Sequence, residues 1–168
     1  MNTTPSNPSS DWEQQLDSLT PAQRQSALEA FRQQAPTLAQ NATPAVLPGN
    51  LHSHTFFSYN CYGYSPSRYA LLARRHGMEV AGIVDFDVLD GMEEFHRAGR
   101  LLNLRTVVSL ETRVFVPEFE TRVINSPGEP GVAYHMATGF SQPPSGDMLE
   151  SFLYGLRQRS SQRNASIV

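Results

Sequence analysis

Cysteine is nearly absent from this chain: Cys61 stands alone among 168 residues. One thiol closes no internal disulfide, so a reducing cytosol is the expected compartment. A buried, inert cysteine is the expected role for Cys61, with a soft metal ligand or a reactive thiol as alternatives. Charge is also sparse. Asp, Glu, Lys and Arg make up 17% and the formal net charge is -3, which argues against a broad nucleic-acid surface or one built for anionic lipid. No apolar run approaches the ~20 residues that a membrane-spanning helix needs. The opening MNTTPSNPSSDW has neither the basic start nor the apolar middle of a secretory signal. Gly63, Gly77 and Gly91 are scattered rather than gathered into G-x-G-x-x-G, and Ser53 and Ser109 lack a nucleophile elbow. What is left to carry chemistry is histidine and carboxylate.

The length suits one domain, or a domain with an extension. Residues 1–10 are polar with two prolines and are expected to be a disordered tail. Trp12, Leu16 and Leu19 follow helical spacing. Thr20, Pro21 and Gln23 then read as N-cap, first helical position and capping-box residue of a second helix whose apolar face is Ala27, Leu28 and Phe31. Pro36 is expected to end it. The spacing thus predicts a helical appendage over 11–40 with a Pro-rich linker over 42–49, so that residues 11–45 form an extension and 46–168 the main domain. From residue 50 the texture changes. NLHSHT is extended. Ser65-Pro66 starts a helix running to His76, with Gly77 as its stop. EVAGIVDF has the valine and isoleucine content of a strand buried on both faces. DGMEEFHRAGRLLNL predicts a helix capped by Asp90, TVVSLETRVFV a third strand, GVAYHMATGF a fourth, and Asp147 to Arg159 a last helix. Strand, helix, strand, helix, strand is the pattern of βαβ units and a parallel sheet.

In such sheets reactive side chains gather at the carboxyl ends of strands. His52 and His54 end the first strand, Asp85 and Asp87 the second, and Glu111 lies within or near the end of the third. Residues i and i+2 of a strand share a face, so His52 and His54 can present two imidazoles side by side. With Asp85 or Asp87, Glu111 and His135 they make a mixed nitrogen and oxygen set suited to zinc, iron or manganese. The competing account is a pair of strand histidines hydrogen-bonded to neighbours, with the two aspartates serving as loop and cap residues. Glu111 inside an apolar run needs a partner or a metal, because burying a carboxylate unpaired is costly. His135 is as readily a satisfied core histidine as a ligand. His76 and His96, late in helices, are expected to be solvated. Arg113 follows Glu111 by two and is a candidate to pair with phosphate, or else with a carboxylate. The aromatic run FFSYNCYGY, which contains Tyr59, is equally a candidate to line a pocket, stacking on a base or sugar, and to pack the top of the barrel.

The segments NLHSHTFFSYN, SPSRYALLARRHGMEVAGIVDFDVLDG, VVSLETRVF and YHMATGF, in that order, resemble the polymerase and histidinol phosphatase (PHP) superfamily of metal-dependent phosphoesterases. VDFDVLDG lies where that family has T-D-H-D-x-x-x-G, with Gly91 in register, and the likeness spans roughly residues 46 to 140. The resemblance implies a distorted (β/α)7 TIM-like barrel holding up to three divalent ions. It implies hydrolysis of phosphate monoesters or diesters by metal-activated water. His52, His54, Glu111 and His135 match metal-ligand positions. Asp85 matches an aspartate beside a ligand histidine. Asp85 and Asp87 are the candidate catalytic carboxylates, and Arg113 and Tyr59 the candidate substrate contacts.

The sequence departs from the pattern in two places: Phe86 stands where the family has a ligand histidine, and Tyr59 where an aspartate often follows the opening motif. Three outcomes stay open: compensation by Asp85 or Asp87, a site with fewer than three ions, or loss of activity. The alternative is a catalytically degenerate metal-binding or regulatory module. No histidine follows His135, and about four strands cannot close a barrel. The expectation is a partial barrel, either a fragment of a longer protein or a truncated product. Its open sheet edge invites self-association. The expected partner is a phosphorylated small molecule or nucleotide, with no membrane contact.

Overall fold

A computed structural model of the chain describes residues 11–34, 49–58 and 63–165; the expectations for the tail over 1–10, Pro36, the linker, Tyr59 and Cys61 lie outside these. The fold is mixed α/β. Among the described residues, five α-helices, α1 (Asp11–Gln15), α2 (Pro21–Gln34), α3 (Pro66–Arg75), α4 (Met92–Leu102) and α5 (Asp147–Ala165), accompany a sheet of order β1 (Val80–Phe86), β2 (Arg105–Phe115) and β3 (Val132–Thr138). Among the described residues, no helix is long and apolar enough to cross a membrane.

Local chemistry accounts for most boundaries. Ser65 Oγ accepts the amide of Arg68 at 3.0 Å and Pro66 takes the first helical position of α3, while Gly77 adopts a φ of 77° past its end. Gly91, not Asp90, is the N-cap of α4, and Asp90 instead pairs with Arg157 of α5. The last helix runs to Ala165, beyond the expected Arg159.

Parallel pairing of β1 with β2 sets Ile83 against Val108 and Phe86 against Glu111. One face of this pair, carrying Ala81, Ile83 and Val108, meets the helices. Leu71, Met92, Phe95 and Leu102 complete a continuous core there. The predicted first strand is shorter than expected. Only Asn50 bridges to Ala81, with Gly82 N donating to Asn50 O at 2.8 Å and Val84 N to Ser53 O at 2.8 Å. That is enough to lay residues 50–53 beside β1.

Two corrections bear on the architecture. The fourth strand, β3, pairs with β2 antiparallel, not parallel. A parallel return needs a crossover of about a dozen residues, usually helical. The connection here carries Pro117, Pro127 and Pro130, forms only a short 3-10 turn at Pro117–Phe119, and closes as a hairpin through Val116 N to Gly131 O at 2.7 Å. The second correction concerns α1 and α2, which belong to the core rather than to an appendage. Leu16, Ala27, Leu28 and Phe31 are buried in it, and the buried Arg24 of α2 donates from Nε to both carboxylate oxygens of Glu94 in α4 at 2.9 Å. Leu19, expected on the apolar face, points to solvent.

Candidate metal centre

Three donor groups from two distant segments converge at the carboxyl end of the sheet. Ligand atoms of His52, His54 and Glu111 all lie within 4.8 Å of one another. His52 Nε2 is 3.2 Å and His54 Nε2 3.7 Å from Glu111 Oε2. A tetrahedral ion holding its donors at ~2.1 Å sets them ~3.4 Å apart, and these two distances bracket that value. Two imidazoles and a carboxylate are the donor set of a borderline divalent ion, so the residues fit one.

Each donor is placed by identifiable contacts. Asn50 Oδ1 accepts the amide of His52 at 3.0 Å, and Asn50 Nδ2 donates to Ser53 Oγ at 2.9 Å. Ser53 in turn donates to Tyr69 Oη of α3 at 2.9 Å. Burial raises the Tyr69 hydroxyl above its ordinary pKa, with the Ser53 contact acting the other way, so it stays a neutral anchor. The His54 ring stacks on Phe86 with centroids 4.5 Å apart and 15° between planes. Its Nδ1 lies 3.1 Å from Ser58 Oγ. Burial lowers the His54 pKa, as does the neighbouring His52 ring, against the raising fields of Glu111 and Asp85. The neutral imidazole that a metal requires is thus the favoured form. His52 is half-exposed and Glu111 buried, so the cluster opens to solvent on the His52 side.

The remaining predicted residues are placed differently. Asp85 lies beneath the cluster and only 2% exposed. Its Oδ1 accepts from Thr55 N at 2.7 Å and Ser58 Oγ at 2.8 Å, and its Oδ2 from Thr55 Oγ1 at 2.7 Å. Burial pushes its pKa up while these bonds pull it down. Asp85 therefore anchors the 55–58 turn instead of reaching the open side. Asp87, at a left-handed φ of 63°, accepts from Thr112 Oγ1 at 2.6 Å and donates its amide to Glu111 O at 2.9 Å. It lines a separate cavity of about 440 Å³ with Glu93, Glu150 and Tyr154.

His135 is not brought to the cluster. It stands opposite Thr112 in the β2–β3 register, whereas Met136 stands opposite Glu111. Paired residues share a face and neighbours alternate, so this register turns His135 to the face opposite that of Glu111. Arg113 does share the face of Glu111, but its guanidinium pairs with Glu129. Glu129 is held below the ordinary carboxylate range by Ser126 first and Arg113 second. His96, expected to be solvated, is half-buried with both ring nitrogens engaged: Nδ1 lies 2.8 Å from Thr106 Oγ1 and Nε2 2.9 Å from Phe140 O. Thr55 and Ser58 were absent from the predicted set. Their only signal was position, directly after the second histidine in HTFFS. With the geometry in hand, comparison adds no relative: no family model, curated protein or solved structure matches this chain.

Proposed function

We propose that this chain is a metal-dependent phosphoesterase of PHP type, acting on a phosphorylated small molecule or nucleotide in the cytoplasm. The observation that carries the reading is the approach of two imidazole nitrogens and one carboxylate oxygen to a common volume at the end of a parallel β pair. His52, His54 and Glu111 would hold the ion. A divalent cation supplies Lewis acidity, lowering the pKa of a nucleophilic water and offsetting charge on phosphoryl oxygens. The chain's own residues do the rest. Glu111 offsets the cation's charge, the stacked and hydrogen-bonded His54 fixes its direction, and the half-exposed His52 marks the side from which a substrate enters. The β1–α4–β2 unit is read as the start of a (β/α)7 barrel, whose open edges favour pairing between copies.

A second reading is a degenerate PHP-like module that binds metal without turnover. It is favoured by Phe86, which packs on His54 where the resemblance expects a ligand, and by the outward-turned His135. Elemental analysis and titration with zinc, manganese and iron test the shared premise. Stoichiometric uptake, abolished in His52→Ala, is expected, and failure to take up any of the three ends both readings. Turnover of phosphate esters that disappears in His52→Ala selects the enzyme. Uptake without turnover selects the binding module.

A further inference from the structure

The hydroxyl of Ser58 joins the buried carboxylate under β1 to the imidazole of His54, and its hydrogen bonding is fully determined. An ionised carboxylate brings no hydrogen. The 2.8 Å contact between Ser58 Oγ and Asp85 Oδ1 must therefore use the single hydrogen of the serine. The amide of Phe86 donates to the same Oγ at 3.0 Å. Only an acceptor lone pair is left for His54 Nδ1 at 3.1 Å, so the imidazole nitrogen is the donor. A neutral imidazole carries one N–H. Placing it on Nδ1 makes Nε2 the lone-pair nitrogen.

We propose that Ser58, held by Asp85, is a positioning residue that fixes His54 as the Nδ1–H tautomer and directs the Nε2 lone pair at the volume shared with His52 and Glu111. This rests on reading the three donors as a metal centre. The tautomer has a consequence visible in the geometry. His54 Nε2 faces Glu111 Oε2 at 3.7 Å, acceptor against acceptor, and a cation between them removes their repulsion. Ser58 is 3% exposed and Thr55 is fully buried, so solvent does not compete for these bonds. Thr55 contributes by holding Asp85 with its amide and its hydroxyl. The arrangement is the outer-shell support that metal-ligating histidines commonly have, with a serine between carboxylate and ring.

The test is spectroscopic and uses the metal-free full chain with 15N-labelled histidine at about pH 8, where imidazoles are neutral. Two-bond nitrogen–proton correlations report which ring nitrogen carries hydrogen, and His54 is assigned by the signal missing in His54→Gln. Wild type is expected to show a protonated Nδ1 and a bare Nε2 at His54. Ser58→Ala is expected to move that ring toward Nε2–H, the form an unconstrained imidazole prefers in water. Its zinc affinity should fall about 10–100-fold. A wild-type His54 in the Nε2–H form overturns the proposal whatever the metal affinity, and so does a Ser58→Ala protein that keeps Nδ1–H. Should Ser58→Ala fail to fold, the wild-type spectrum alone decides. A wild-type Nδ1–H tautomer in a chain that takes up no zinc, manganese or iron supports the serine's role and overturns the metal reading instead.

Discussion

The two faces of the β1–β2 pair use buried charge in opposite ways. Among the helices on one side, Arg24 and Glu94 are both nearly inaccessible and bonded to each other, and Ser67 N also donates to the carboxylate at 3.1 Å. On the other face His52, His54 and Glu111 satisfy one another incompletely, at 3.2 and 3.7 Å. The first arrangement is closed and closes the core with it. The second is held in place from outside, through Asn50, Ser58 and Phe86, and leaves its donor atoms turned inward on a shared volume. Comparable polar content therefore builds a structural clamp on one side and a candidate metal site on the other. What separates them is whether cationic hydrogen-bond donors are already supplied by the protein.

The largest expected effect comes from breaking the clamp. Arg24→Ala leaves the Glu94 carboxylate buried without its cation, a change worth about 3–5 kcal/mol. Urea unfolding of the metal-free protein should register it in full. The variant should also loosen the 55–58 turn, because the Arg24 guanidinium lies 5.1 Å from the Phe56 ring centroid. A loss below about 1 kcal/mol would mean that the pair is not sealed as the comparison requires.

Two glycines sharpen the contrast at smaller cost. A Cβ on Gly82 would meet Leu51 O at 2.6 Å and Leu51 Cα at 2.8 Å, both backbone atoms of the segment that carries His52. A Cβ on Gly99 in α4 would meet Thr106 Cγ2 at 2.5 Å and Leu104 O at 2.8 Å, on the helix side. Each overpacking should cost about 1–3 kcal/mol, with up to about 1 kcal/mol returned at Gly99 by better helix propensity. Metal affinity should separate them. Gly82→Ala pushes the 50–53 segment off β1 and should weaken zinc binding by about tenfold or more, whereas Gly99→Ala should leave it unchanged. Equal affinities in the two variants would detach the site from the segment's seating on β1.

Much of this was legible beforehand because it is local. Period-2 alternation placed the two imidazoles together, Ser65-Pro66 announced α3, and a carboxylate within an apolar strand marked Glu111. The failures that move the site and the core are non-local. The direction of β3 depends on whether the preceding connection can form a crossover, and its three prolines were the available sign. His135 lost its place through the register of that pairing, which sets it opposite Thr112 and Met136 opposite Glu111; a shift of one residue decides which face a side chain takes. The first two helices looked like an appendage because nothing local in their sequence pairs Arg24 with Glu94, 70 residues away. His96 lies in a helix, where exposure is the ordinary expectation, but the backbone carbonyl of Phe140, 44 residues on, returns to bond its ring. Phe86 was read as a missing ligand, and in the fold it is the surface against which His54 is held.

The smallest effect tests the site face by pH. In the metal-free protein His54 has a lowered pKa, chiefly from burial, so between the unfolded value of 6.5 and its own lower value the folded chain binds fewer protons than the unfolded one. Stability therefore rises with pH across that window and falls as pH drops through 6.5, reaching a plateau once the folded-state ring is also protonated. Asp85 has the opposite sign. Its raised pKa means the folded chain binds more protons just above the unfolded value of 3.8, so its contribution declines as pH rises through that region and is constant well above it. Urea midpoints of wild type and His54→Gln, measured with a chelator present, isolate the first slope. The difference between them should shrink as pH falls below 6.5, because only the wild type has a ring to protonate. With a saturating divalent ion the wild-type slope should steepen, since protons then compete with the metal as well as with burial. A difference that stays flat across this range would mean that His54 is not buried against Phe86, and the imidazole would lose the support that sets this face apart from the helix side.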